Sequence, residues 1–165
     1  MDWKKGKSIF SFVLDKNLLP EDLKLQSASI YFSFILKELL KERGSKVWLK
    51  WPNDFYIDDK KIGGTITNLS GELIYCGIGI NLEFVLEPYG YLDIKINSKQ
   101  LLKEYFSRLE FYTSWKQIFS KYKVEFSLSK NFKTTINNEK IDLSMAILND
   151  DGSLLIDNKR VFGLR

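Results

Sequence analysis

The sequence predicts an α+β fold, a body of strands and helices followed by a small all-β tail. Three patterns carry that prediction. Apolar residues recur at helical spacing from Leu23 to Leu40. Runs rich in β-formers occupy 8–14, 47–51 and 73–82. Beyond residue 126, short strand-like runs separated by tight-turn pairs replace the helical period. A chain of 165 residues, 44% apolar and 28% charged, is the size and composition of an ordinary globular domain.

The elements follow in order. Residues 8–14 form a strand that Asp15-Lys16-Asn17 stops, and Pro20-Glu21-Asp22 opens a helical run ending in Lys41-Glu42-Arg43, with Gly44 as its C-terminal cap. Residues 47–51 read as a strand cut by Pro52, followed by a hairpin with its turn at Asp58-Asp59. The apolar run 73–82, punctuated by Gly77 and Gly79, reads as a strand covered on both faces. Residues 88–91 are a loop. Asn97 or Ser98 caps a second helical region, with Gln100 placed for a capping box, that breaks near Thr113-Ser114 and runs to Lys123. Strands are predicted at 133–136, 141–148, 153–156 and 160–164, with Asn137-Asn138, Asp151-Gly152 and Asp157-Asn158 as turns. Cys76 and Met145 are expected in the core.

Composition removes several functions. With no histidine, neither a Ser-His-Asp triad nor an imidazole zinc site can be built. One cysteine, Cys76, forms no internal disulfide and fits a reducing compartment. No segment approaches the ~20 consecutive apolar residues of a membrane helix, and the polar opening Met-Asp-Trp-Lys-Lys-Gly-Lys is unlike a secretory signal, so a cytoplasmic protein without membrane contact is expected. The net charge of +4 comes from basic residues interleaved with acids, as in Lys37-Glu38 and Lys41-Glu42, which read as solvated faces rather than as a DNA-binding stripe.

The chemistry is concentrated between residues 50 and 81. Lys50-Trp51-Pro52-Asn53-Asp54 sets a cation, an amide and a carboxylate around a proline at a strand end. Lys61 follows Asp54 by seven residues, and a hairpin tip at Asp58-Asp59 returns it toward the Asn-Asp end. Gly63-Gly64 inside a strand pattern marks a bulge or a place where a ligand meets bare backbone. Cys76-Gly77-Ile78-Gly79-Ile80-Asn81 is a second glycine-bearing strand that ends in an amide. Each piece alone has a plain explanation: ordinary turn chemistry for Asn-Asp, a solvated hairpin arm for Lys60-Lys61. Together they describe a site for phosphate or carboxylate chemistry.

The series Lys50-Trp51-Pro52-Asn53-Asp54, Lys61-Ile62-Gly63-Gly64 and Gly77-Ile78-Gly79-Ile80-Asn81-Leu82 resembles, in order and spacing, the catalytic core of biotin–protein ligases. That resemblance implies a mixed or antiparallel sheet with helices packed on one face, plus an SH3-like C-terminal tail. The expected division is 1–126 for the catalytic core and 127–165 for the small β unit. It implies ATP and Mg²⁺, with biotin as substrate: biotinyl-5′-AMP forms, and biotin passes to a lysine of the biotin carboxyl carrier protein of acetyl-CoA carboxylase. By the same resemblance Lys61 contacts the biotin carboxylate and then the acyl phosphate, Asp54 serves the acceptor step, and Gly63, Gly64 and Trp3 lie against biotin. Lys50, Asn53 and Asn81 fall on the nucleotide side, and no protein metal ligand is expected. The family's upstream strand–helix–strand segment with its Gly-Arg-rich loop has no counterpart ahead of Met1. An N-terminally incomplete core is therefore expected, with a sheet edge that favours a homodimer. No helix-turn-helix precedes it, so no DNA partner is expected. The alternatives are an inactive remnant that only binds biotin, nucleotide or carrier, and a lipoate-ligase-like protein.

Overall fold

A computed structural model describes residues 7–111, 113–136 and 138–163. The first strand, β1, spans Lys7–Asp15. It ends where the Asp15 carboxylate accepts the Asn17 N–H at 2.8 Å and a single 3-10 turn begins. The first helix, α1, spans Ala28–Glu42 and starts later than its apolar spacing predicts. The reason is the use of Asp22. Its carboxylate accepts the N–H groups of Trp115 and Lys116, at 2.9 Å each, and so caps a different helix. Gly44 ends α1 with φ +91°, a conformation that favours glycine.

Strands β2 (Trp48–Lys50), β3 (Asp54–Ile57), β4 (Lys60–Ser70) and β5 (Leu73–Asn81) join β1 in one antiparallel sheet of order β1-β5-β4-β3-β2. Helices α1, α2 (Ser98–Glu110) and α3 (Trp115–Ser129) cover one face of it. Phe12 packs edge-on against Phe32 of α1 and Phe10 against Tyr105 of α2, while the Ser33 and Thr65 hydroxyls share a hydrogen bond of 2.7 Å. Burial of each such aromatic ring contributes roughly 1.5–3 kcal/mol.

Strand β5 departs from the expected coverage of both faces. Ile74, Cys76, Ile78 and Ile80 are buried toward the helices, whereas Tyr75 on the other face is 44% exposed. Gly77 and Gly79 belong to that second face, so a run that looks continuously apolar is an alternation of large residues with glycine. Lys37 also departs from expectation. It is 2% exposed on α1, pairs with Glu38 at 2.8 Å and Glu125 at 2.9 Å, and stands over the Phe34 ring. Asn97 caps α2, but the Gln100 side chain turns to Glu104. The complete capping box lies at Ser114 and Gln117 of α3, which continues past Lys123 to Ser129.

The tail holds the hairpin β6 (Lys133–Ile136) and β7 (Glu139–Asp142), and a sheet of β8 (Ile147–Leu148), β9 (Leu154–Ile156) and β10 (Lys159–Val161). The predicted strand 141–148 is interrupted where Leu143 and Ala146 turn inward. Met145, expected in the core, is 86% exposed at that turn. Asp157 and Asn158 both have positive φ, as a two-residue hairpin turn requires. Small β sheets at the C-terminus agree with an SH3-like tail. They dock on the body through the Trp51 indole, which donates to the Gly152 carbonyl at 2.9 Å, and through Trp115 Nε1 to Asp150 at 2.8 Å. Among the described residues no helix is long and apolar enough to cross a membrane.

Candidate active site

Lys50, Asp54 and Lys61 meet on the sheet face opposite the helices. Leu49 pairs with Phe55, both fully buried toward the helices, so Lys50 and its partner Asp54 point the other way. The decisive local feature is a register shift in the β3–β4 hairpin: Phe55 faces Gly63, but Tyr56 faces Lys61. The extra residue, Ile62, is buried. Without it Lys61 would share the helix-side face, and with it the amine swings onto the face of Asp54. The glycine pair next to Lys61 is the sequence signal for this bulge.

Lys61 Nζ lies 2.6 Å from Asp54 Oδ1, and Lys50 Nζ lies 3.8 Å from Asp54 Oδ2. One carboxylate is thus flanked by two ammonium groups. The Lys61 side chain is 33% exposed, whereas Lys50 is nearly buried. Lys61 can therefore move toward an incoming anion while Lys50 stays in place. Tyr56 lies beside them, with Lys50 Nζ 5.5 Å from its ring centroid. Burial and the Asp54 charge push the Tyr56 phenol up to about 12, so it stays neutral at physiological pH.

The two glycines have different reasons to be glycine. A Cβ on Gly63 would fall 2.2 Å from the Gly79 carbonyl oxygen, so the neighbouring strand fills that space. A Cβ on Gly64 would meet Asp54 Oδ1 at 3.1 Å, beside the charged pair. Gly64 faces Gly79, and together they make a floor without side chains. A cavity of about 260 Å³ lies there, lined by Lys61, Gly63, Gly64, Gly79 and Asn81, with Val85 and Tyr89 from the following loop. That loop is tied down by Asn81 Nδ2 donating to the Gly90 carbonyl at 2.9 Å and by Gly90 N–H donating to the Lys61 carbonyl at 2.9 Å. The Asn81 amide therefore shapes the wall.

Asn53 is buried. Its Nδ2 donates to the Thr65 carbonyl and its own carbonyl accepts the Thr65 N–H at 2.9 Å, while Oδ1 has no partner among the described residues. Trp3 lies outside the described residues. Sequence reasoning did not single out Val85, Tyr89 or Tyr56, since isolated apolar and aromatic residues carry no signal of a cavity wall. Cys76 is buried and its thiol is pushed up by that burial, which leaves it protonated and inert. Among the described residues no three Cys, Asp or Glu side chains converge as they would around a metal ion. The one carboxylate of the site already faces two cations, a donor set unlike a Mg²⁺ cage.

A glycine floor with a partly exposed cation at its head offers bare backbone and positive charge to a ligand, and comparison with known proteins places the chain more closely. The model of the biotin/lipoate A/B protein ligase family matches residues 2–81. The biotin acetyl coenzyme A carboxylase synthetase of Helicobacter pylori, solved with biotinylated ATP, superposes with TM-score 0.90 at 36% identity, over 97% of this chain and 77% of that one. The chain therefore belongs to the biotin/lipoate A/B protein ligase family, and its likeness runs to the biotin protein ligases. The Aquifex aeolicus biotin protein ligase in complex with biotin and ATP shares the fold, with TM-score 0.71 at 22% identity over 95% of this chain and 75% of that one. The bifunctional ligase/repressor BirA of Escherichia coli is 37% identical over 60 residues, 33% of this chain. The matched stretch spans about a fifth, 19%, of that relative's length.

Proposed function

We propose that this protein is a biotin–protein ligase that makes biotinyl-5′-AMP from biotin and MgATP and passes biotin to a lysine of a biotin carboxyl carrier protein. The observation that carries the reading is Lys61, anchored on Asp54 at the head of the Gly64–Gly79 floor. Mg²⁺ enters as part of the nucleotide substrate, where phosphate oxygens supply most of its ligands and the ion neutralises their charge.

In the first step a biotin carboxylate oxygen attacks the α-phosphorus of ATP and pyrophosphate leaves. Two anions must meet, and preorganised cations lower that barrier. Lys61 exchanges its partner Asp54 for the biotin carboxylate and stays with the acyl phosphate as charge shifts onto it. Lys50 and Asn53 face the nucleotide in this reading. In the second step the acceptor amine attacks the acyl carbon, AMP leaves, and the amine proton goes to a base. A lysine of pKa ~10.4 is protonated at neutral pH, so a carboxylate that draws it in and accepts its proton is needed. In this reading Asp54, released by Lys61, takes that role. The division at 126/127 belongs to the same proposal, with the last turn of α3 on the tail side. In cells the reaction would take place in the cytoplasm, where carrier protein and ATP are found together.

The test is incubation with biotin, MgATP and a biotin carrier domain, read by streptavidin blot. Labelled carrier is the expected result. Biotin binding without labelling would reduce the protein to a binding module, and labelling with lipoate in preference to biotin would move it to the neighbouring branch.

A further inference from the structure

We infer that Glu125 and Ser129 of α3 are positioning residues that hold β2, and with it Lys50, at the site. Only the catalytic consequence rests on the ligase reading. β2 is the outer strand of the sheet, so every second N–H of its backbone points away from β3. Leu49 carries that outward N–H within β2 and Trp51 carries the next one just past the strand's end, and both end on α3. Glu125 Oε1 accepts the Leu49 N–H at 2.7 Å, and Ser129 Oγ accepts the Trp51 N–H at 3.0 Å.

The spacing explains why a helix can stand in for a missing strand. Residues four apart on a helix lie on one face with a rise of about 6 Å. Alternate residues of a strand are about 6.8 Å apart. Glu125 and Ser129 thus match Leu49 and Trp51 one to one, and Lys50 is the residue between the two pinned positions. A strand of three residues at a sheet edge is otherwise prone to fray.

The acceptors are themselves fixed. Glu125 Oε2 is held by Lys37 at 2.9 Å, and Lys37 is in turn held by Glu38 at 2.8 Å. The Glu125 side chain is 10% exposed and Ser129 is fully buried. A carboxylate so far from water loses hydration, which its two charge-assisted and backbone bonds offset. The result is a continuous line of contacts from α1 through Glu125 to Leu49 and the backbone of Lys50, whose amine stands 3.8 Å from Asp54. Ordinary edge covering would need no such precision, and the test separates the two.

Three variants are compared with the parent chain: Glu125→Ala, Glu125→Gln, which keeps a carbonyl oxygen for Leu49, and Ser129→Ala. Backbone amide exchange and the Lys50 side-chain resonances are followed by NMR, and Michaelis constants are measured by biotin-dependent pyrophosphate exchange. Glu125→Ala should speed exchange at Leu49, and Ser129→Ala at Trp51, by about tenfold each, with the Lys50 resonances displaced. The nucleotide KM should rise about tenfold with the biotin KM unchanged, and Glu125→Gln should stay within about twofold of the parent. Unchanged exchange at Leu49 and Trp51, or unmoved Lys50 resonances, would overturn the inference. So would the two KM values rising together with a fall in thermal midpoint. If Glu125→Ala does not fold, Ser129→Ala decides. If the parent chain itself shows no pyrophosphate exchange, the ligase reading falls, and the NMR result alone still decides the positioning.

Discussion

At the residue scale one carboxylate, Asp54, stands between a buried cation, Lys50, and a partly exposed one, Lys61. In the proposed reaction Asp54 and Lys50 act at different stages. Asp54→Ala should slow transfer from preformed biotinyl-5′-AMP by about 10²-fold while Lys50→Ala mainly slows adenylate formation. Single-turnover assays of each half-reaction check this, and equal losses in both halves would remove the base role of Asp54. The glycines separate in the same way. Gly63→Ala forces a Cβ toward the Gly79 carbonyl at 2.2 Å, so strand separation costing roughly 1–3 kcal/mol and a lower thermal midpoint are expected. Gly64→Ala meets the Asp54 side chain at 3.1 Å and the Asn53 carbonyl at an ordinary 3.4 Å, so the fold should hold while the biotin KM rises. A calorimetric scan of both variants beside their biotin KM values distinguishes packing from ligand approach.

At the element scale the hairpin and the α1–α3 seam carry the design. The 50–64 hairpin was legible in the sequence because turn residues at Asp58-Asp59 and a glycine pair announce both its tip and its bulge, and Asp54 and Lys61 are joined within that one local unit. The coverage of β5 was misread because glycine leaves an alternating strand looking uniformly apolar. The start of α1 was misread because Asp22 caps a helix distant in sequence. Glu125 and Ser129 were not legible at all, since their partners lie 76 and 78 residues away and isolated Glu and Ser on a helix give no signal. On the same seam, Glu38 of α1 joins Lys37 and Lys121. Burial alone would raise its carboxyl, but hydrogen bonds from Lys37 and Lys121 outweigh it and hold the carboxyl below its usual value. Stability from this contact is present above the unfolded carboxyl pKa of ~4.3 and is lost as pH falls through the lower folded value. Glu38→Gln should therefore flatten the acid limb of the stability–pH curve below about pH 4 and leave its neutral shape unchanged, as denaturant titrations at stepped pH would show.

At the scale of the whole molecule the helices occupy one face of the sheet and leave the Lys50, Asp54 and Lys61 side chains on the other, while the tail reaches the Lys50-to-Asp54 corner. Trp51 links the two: its indole meets the Gly152 carbonyl of the tail and its backbone N–H meets Ser129. Gly163 supports the same contact, since a Cβ there would fall 2.1 Å from Pro52. Tail and body are thus both needed to hold one corner, a relation the sequence did not reveal because each half reads as an independent pattern. The most direct measurement is biotin-dependent exchange of labelled pyrophosphate into ATP by the parent chain and by Lys61→Ala at equal concentration. Exchange in the parent that requires biotin, falling by about 10²–10³-fold on loss of the Lys61 amine, is the expected result. No biotin-dependent exchange in the parent, or a Lys61→Ala protein as fast as the parent, would contradict the role assigned to that amine.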